Sequence, residues 1–112
     1  MNLSFLPPEI LSAVNNVNLN YLTEIRLRRG QPVLIEYCGE YKYLNSGGAS
    51  GRGSGALICM DIAGILNKAM DGCVYSYAEE LKQGFITVGG GIRIGVAGEY
   101  VTEGGQVKTI AR

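Results

Sequence analysis

The spacing of apolar residues along this chain changes in a fixed order, from helical to alternating, back to helical and again to alternating. That order limits the fold more than any single motif does. Ile10, Leu11, Val14 and Val17 follow Pro7 and Pro8 at intervals that line one helix face, and proline suits the first helical position because the amide there has no partner within the helix. Residues 23–28 then alternate, with Ile25 and Leu27 on one side and Glu24, Arg26 and Arg28 on the other, as a half-buried strand requires. Gly30 interrupts the pattern, and residues 33–38 and 41–44 read as two further strands joined by a tight turn at Gly39 and Glu40.

Helical spacing returns with Ile62, Ile65, Leu66, Ala69 and Met70 after Asp61, and it stops at Asp71 and Gly72, where glycine suits a left-handed closing position. Ser76 and Glu79 have the spacing of a capping box, which predicts a second, shorter helix ending at Gly84. Residues 85–88 and 92–101 then read as strands separated by Gly89, Gly90 and Gly91, and a turn at Gly104 and Gly105 leads into a last strand over 106–110. The order helix, strands, helices, strands predicts an α+β domain with helices packed on one face of an antiparallel sheet. Between its halves, residues 45–55 are mostly glycine and serine around Arg52, a composition with too little apolar surface to offset the entropy of ordering, and a flexible loop is expected there.

With 112 residues, one domain over 1–112 is the working expectation. No apolar run reaches the ~20 residues of a membrane-spanning helix, and residues 1–6 lack the basic and apolar segments of a signal peptide, so a cytoplasmic location is expected. Cys38, Cys59 and Cys73 are spaced for neither a disulfide framework nor a zinc knuckle, and read as small buried thiols. Histidine is absent, which removes the commonest general base and the commonest metal ligand. Ten basic and ten acidic residues cancel, so the net field attracts neither nucleic acid nor anionic lipid.

The glycine-rich segments do not make a phosphate-binding loop. No G-x-x-x-x-G-K-[ST] occurs, and Gly89 to Gly91 precede a strand rather than a helix whose dipole would face an anion. Glu80, next to the capping glutamate, reads as solvated or salt-bridged rather than catalytic. The arginines carry more information. Arg26 and Arg28 share one strand face with Arg29 beside them, and Arg93 sits in a glycine-flanked strand. Exposed ion pairs with Glu24, Glu36 or Glu99, contributing ~0–1 kcal/mol apiece, are one reading. The other is that fixed guanidinium groups wait for a phosphate or carboxylate, which their planar fork binds through two nitrogens.

Four stretches bear on that choice. Glu24-Ile25-Arg26-Leu27-Arg28, Ser76 to Thr87, Gly90 to Gly98, and Val107-Lys108-Thr109-Ile110 resemble, in order and spacing, the amino-terminal region of the stage III sporulation protein AA family. That family is similar to the hexameric ATPases of type II secretion, type IV pili and type IV secretion, in which a PAS-like α+β domain precedes a P-loop domain. The resemblance implies a non-catalytic accessory domain, with no cofactor of its own and with ATP and magnesium bound by the P-loop domain of the longer protein. It implies as partners that P-loop ATPase domain, neighbouring subunits of a ring and other proteins of the sporulation channel. The location implied is the mother-cell side of that channel, with the membrane met only indirectly. Arg93, and with it Arg26 and Arg28, are the arginines that would face the nucleotide, while Ser76, Glu79 and Gly84 carry structure. The chain departs from the family at Ile92, where a histidine is usual, so any task of that histidine is missing. Two rivals from other classes are a nucleic-acid-binding module built on Arg26, Arg28 and Arg29, and a small-molecule sensor walled by Tyr37, Tyr41, Tyr43, Tyr75 and Tyr77.

Overall fold

The computed structural model describes residues 3–71, 74–88, 91–96, 100–103 and 106–109. Helix α1 spans Pro8–Val14, and a 3-10 turn, Leu19–Tyr21, leads into strand β1, Leu22–Leu27. Strands β2 (Leu34–Tyr37), β3 (Glu40–Asn45) and β4 (Gly48–Ser50) follow, then α2 (Ile62–Met70), a 3-10 turn (Val74–Tyr77) and α3 (Ala78–Lys82). Strands β5 (Phe85–Val88), β6 (Ile92–Val96), β7 (Tyr100–Glu103) and β8 (Gln106–Thr109) complete the order. The fold is α+β, as the periodicity requires.

Six strands form one sheet in the order β4-β3-β2-β1-β6-β5, and β7 pairs with β8 in a second sheet. The expected antiparallel sheet is in fact mixed, because β1 and β6 run parallel while the other pairs are antiparallel. A parallel pair needs a long crossover rather than a hairpin, and here the chain between β1 and β6 supplies it with four strands and two α-helices. Alternation reports which face a side chain takes and carries nothing about strand direction.

Register across this sheet sets a row of isoleucines side by side: Ile35 opposite Ile25, Ile25 opposite Ile94, and Ile94 opposite Ile86. All four are fully buried. Helix α1 adds Ile10, Ala13 and Val14 to the same core, and α2 adds Ile62, Ile65, Leu66 and Met70. Helix α2 begins where the Asp61 carboxylate accepts the Gly64 amide at 3.0 Å. It ends on Asp71 itself in the left-handed region, φ 38°, one residue before the expected glycine, since aspartate is among the few side chains that tolerate this conformation. Gly72 lies outside the described residues. Among the described residues no helix is long and apolar enough to cross a membrane.

Several local expectations are corrected. The turn between β2 and β3 is Cys38-Gly39, one residue earlier than Gly39 and Glu40, with both residues at positive φ as the tightest hairpins demand. Cys38 is therefore exposed rather than buried, whereas Cys59 is buried and its thiol pKa is raised, chiefly by burial. Cys73 lies outside the described residues. The stretch 45–55, expected as a flexible loop, contains β4: Gly48 is buried, Asn45 accepts the Gly47 amide at 2.9 Å, and Asn16 donates to the Ser46 carbonyl at 3.0 Å. Hydrogen bonds thus order a segment with little apolar surface. The single strand expected over 92–101 is two, β6 ending at Val96 and β7 starting at Tyr100.

The capping box of Ser76 and Glu79 does not form. Ser76 belongs to the 3-10 turn that runs straight into α3, the residue at the cap is Tyr77, and no side chain caps the helix. Glu79 instead accepts from Lys82 at 3.3 Å, an exposed contact between neighbouring turns. Gly84 does end the helical segment, at φ 91°, and its carbonyl accepts the Val96 amide at 2.8 Å. Because Ile25 touches the buried row from both neighbouring strands, Ile25→Ala is expected to cost about 2–5 kcal/mol in urea denaturation. A loss under ~1 kcal/mol would mean that this row does not hold the sheet.

Candidate arginine groove on the open sheet face

The alternation that buries the isoleucines sends their neighbours to the opposite face, and the register arranges these in two rows. Tyr41, Glu36, Glu24, Arg93 and Thr87 lie across β3, β2, β1, β6 and β5, and beside them run Tyr43, Leu34, Arg26, Gly95 and Phe85. Arg26 and Arg93 therefore come from different ends of the sequence to adjacent strands. With Arg28, just beyond β1, they line one open groove of about 440 Å³ that also includes Glu24, Gly84, Phe85 and Gly95. Ser76 and Glu79 are not part of its lining.

Glu24 is the one buried charged or polar residue among those described, with 7% of its surface exposed. Removing a carboxylate from water costs several kcal/mol unless it is paired, and Arg26 supplies the pairing: its Nε donates to Glu24 Oε2 at 3.0 Å. The same guanidinium donates through Nη2 to the Tyr41 hydroxyl at 2.9 Å and stands 4.5 Å from the centre of that ring. Glu24 also faces Glu36 across β1 and β2, where two like charges would repel. They are kept apart in use, since Glu36 accepts from the Thr23 hydroxyl at 2.6 Å while Glu24 turns to Arg26.

Gly95 makes room for this arrangement. A Cβ at that position would come within 2.9 Å of Glu24 Oε2, closer than such contacts tolerate. Arg93 is held differently, over the face of Phe85 at 4.1 Å from the ring centre. Among the described residues neither Arg93 nor Arg28 has a side-chain hydrogen bond or a carboxylate within ion-pair distance. Arg29 is exposed in the turn after Arg28 and lies outside the groove's lining.

The sequence pattern placed Arg26 and Arg93 on strands and did not disclose what sorts the arginines. The two-residue spacing of Glu24 and Arg26 was a visible signal for their pairing; the roles of Gly95 and Phe85 depend on the β5–β6–β1 register, which no local pattern encodes. Glu80, expected to be solvated or salt-bridged, accepts the Thr87 amide at 2.8 Å and so satisfies a backbone donor on the edge strand β5. Among the described residues Tyr37, Tyr41 and Tyr43 are engaged separately, and Tyr77 lines a different hollow, of about 420 Å³, with Phe5, Lys68 and Val88. Tyr37 accepts the Asn18 amide at 3.1 Å, Tyr41 binds Arg26, and Tyr43 packs over Gly53. The side chain of Tyr75 lies outside the described residues. No group of three or more Cys, Asp or Glu side chains among the described residues is placed to hold a metal ion.

Comparison with known proteins gives a family. The family model described as Sporulation stage III, protein AA matches residues 8–112. The chain is 32% identical over 107 residues to Stage III sporulation protein AA of Bacillus subtilis (strain 168), an alignment covering 95% of this chain and 29% of that protein. It therefore spans under a third of that relative's length. No solved structure matches the chain, so the PAS-like description of the fold gains no support there.

Gly95→Ala is expected to destabilise the domain by about 1–3 kcal/mol in denaturant titration, because the new methyl group displaces the Glu24 carboxylate from Arg26. In a Glu24→Ala background the same substitution should cost much less, as the remaining neighbour, Arg26 Cγ, stands at an ordinary 3.8 Å. Equal losses in both backgrounds would contradict this account of the glycine.

Proposed function

The chain belongs to the stage III sporulation protein AA family, and from that premise we propose that it is a non-catalytic unit whose open sheet face presents arginines to a phosphate held by a P-loop ATPase domain. In this reading the P-loop domain binds ATP and magnesium, and the present unit contributes to nucleotide sensing and to the contacts between neighbouring subunits of a ring. The assembled motor would energise the channel between mother cell and forespore from the mother-cell cytoplasm, alongside other proteins of that channel.

The observation that carries the reading is the convergence of Arg26, Arg28 and Arg93 on one groove, on the sheet face opposite the isoleucine row. Guanidinium groups fixed by a ring or a carboxylate lose little freedom when they bind an anion, and their paired N–H groups match phosphate oxygens. An arginine directed at a phosphoryl transition state can contribute ~10³–10⁵ in rate, far more than an exposed ion pair contributes to folding. A groove with such residues has donors suited to contacting a triphosphate, and the sequence has no P-loop lysine and serine or threonine with which to position one for hydrolysis.

The nucleic-acid reading loses its basis on the same face. Among the described residues Glu24 lies amid the basic side chains and pairs with Arg26, which interrupts the basic row that a phosphate backbone would follow. The sensor reading is less favoured, since Tyr37 and Tyr41 are engaged separately rather than around one cavity.

In a longer protein that carries both this unit and the P-loop domain, Arg93→Ala is expected to lower ATP hydrolysis by ~10³-fold or more. Unfolding free energy should change by less than ~1 kcal/mol. Normal turnover in that variant would refute the proposed role.

A further inference from the structure

We infer that Glu24 divides the three arginines of the groove into one fixed group and two working ones: it anchors Arg26 and leaves Arg28 and Arg93 as the pair that grips a phosphate oxyanion. The inference rests on the reading of the groove as a phosphate site and assigns the contacts within it.

Arg26 is already committed. Its Nε is spent on Glu24 at 3.0 Å and its Nη2 on Tyr41 at 2.9 Å, two acceptors that hold the guanidinium from different sides. Gripping an anion through its Nε edge would mean leaving Glu24, a residue only 7% exposed, where water is poorly placed to take over the hydrogen bonds, and what stays free on Arg26 is Nη1 and the second Nη2 hydrogen.

Arg93 is poised in the opposite way. The Arg93 guanidinium carbon stands over the Phe85 ring at 4.1 Å from its centre, a contact that holds the group without pairing it to a carboxylate. Arg28 is exposed beyond the end of β1 and shares the groove, with no side-chain acceptor among the described residues. Two guanidinium groups with free donors at different points along one groove suit a polyphosphate, each taking oxygens of a phosphate within its reach.

Glu24 then has a second effect. Its register partner on β6 is Arg93, which sets a negative charge beside the bound anion and opposes binding by like-charge repulsion. Neutralising it should tighten binding, an outcome that mere structural damage would not produce. Gly95, whose missing side chain admits the Glu24 carboxylate, makes this placement possible.

The test is titration of the 112-residue chain with inorganic tripolyphosphate, followed by calorimetry or by amide chemical shifts. Arg93→Ala and Arg28→Ala are each expected to weaken binding by about tenfold or more. Arg26→Ala should alter it by no more than about threefold, and Glu24→Gln should tighten it by about threefold to tenfold. If Arg26→Ala does not fold, Arg26→Lys, which keeps the charge without the Nε contact, should behave the same way. Loss of affinity in the Arg26 variant as large as in Arg93→Ala, or weaker binding by Glu24→Gln, would overturn the division of roles while leaving the groove a phosphate site. Absence of binding by the unaltered chain at ~10 mM would overturn the phosphate reading itself, and this inference with it.

Discussion

The parallel pairing of β1 with β6 is the constraint on which both faces of this sheet depend. It joins segments nearly seventy residues apart, and its register sets Ile25 against Ile94 on the covered side. The same register sets Glu24 against Arg93 and Arg26 against Gly95 on the open side. Because side chains alternate strictly, a slip of one residue would move the isoleucines into solvent and the charges into the core. Burial of the isoleucine row therefore fixes the geometry of the arginine groove. The hydrophobic side supplies most of the free energy, at roughly 25 cal/mol for each Å² of apolar surface removed from water, and the polar side inherits its precision.

The open face shows how a charged residue is tolerated within such a sheet. The Glu24 side chain is 9% exposed and its partner Arg26 is 42% exposed, so the pair is intermediate between a surface ion pair and a buried one. The first kind contributes about 0–1 kcal/mol, while losing one member of the second costs about 3–5 kcal/mol. A hydrophobic residue in place of Glu24 would avoid the desolvation cost altogether. What the carboxylate adds is orientation: it fixes Arg26, and through the cross-strand register it lies beside Arg93.

Much of this was legible in the chain before any coordinates. The two-residue alternation of Ile25 and Leu27 against Glu24, Arg26 and Arg28 gave β1 and the faces of its side chains, and the helical spacing ending at Met70 gave α2. Arg93 could be placed in a strand, and the family resemblance linked it to Arg26. The mixed sheet could not be read, because strand direction is a property of the crossover. The capping box at Ser76 and Glu79 failed for a local reason, since a preceding 3-10 turn leaves no cap position, and sequence spacing alone does not distinguish the two starts. The β4 segment was hidden by its glycines, whose composition suggested disorder, while a hydrogen bond from Asn16 to Ser46 and one from the Gly47 amide to Asn45 supply the order. Gly95 and Phe85 became functional candidates only once the register had brought them to Glu24 and Arg93.

The central claim is that this face meets a triphosphate bound elsewhere in a larger assembly. A structure of a longer protein carrying this unit and its P-loop domain, bound to magnesium and a non-hydrolysable ATP analogue, tests that claim most directly. The account predicts the Arg93 guanidinium at about 2.7–2.9 Å from an oxygen of the outer phosphates, with Arg26 still on Glu24. A groove left open to solvent, with the nucleotide enclosed by other surfaces, would contradict it.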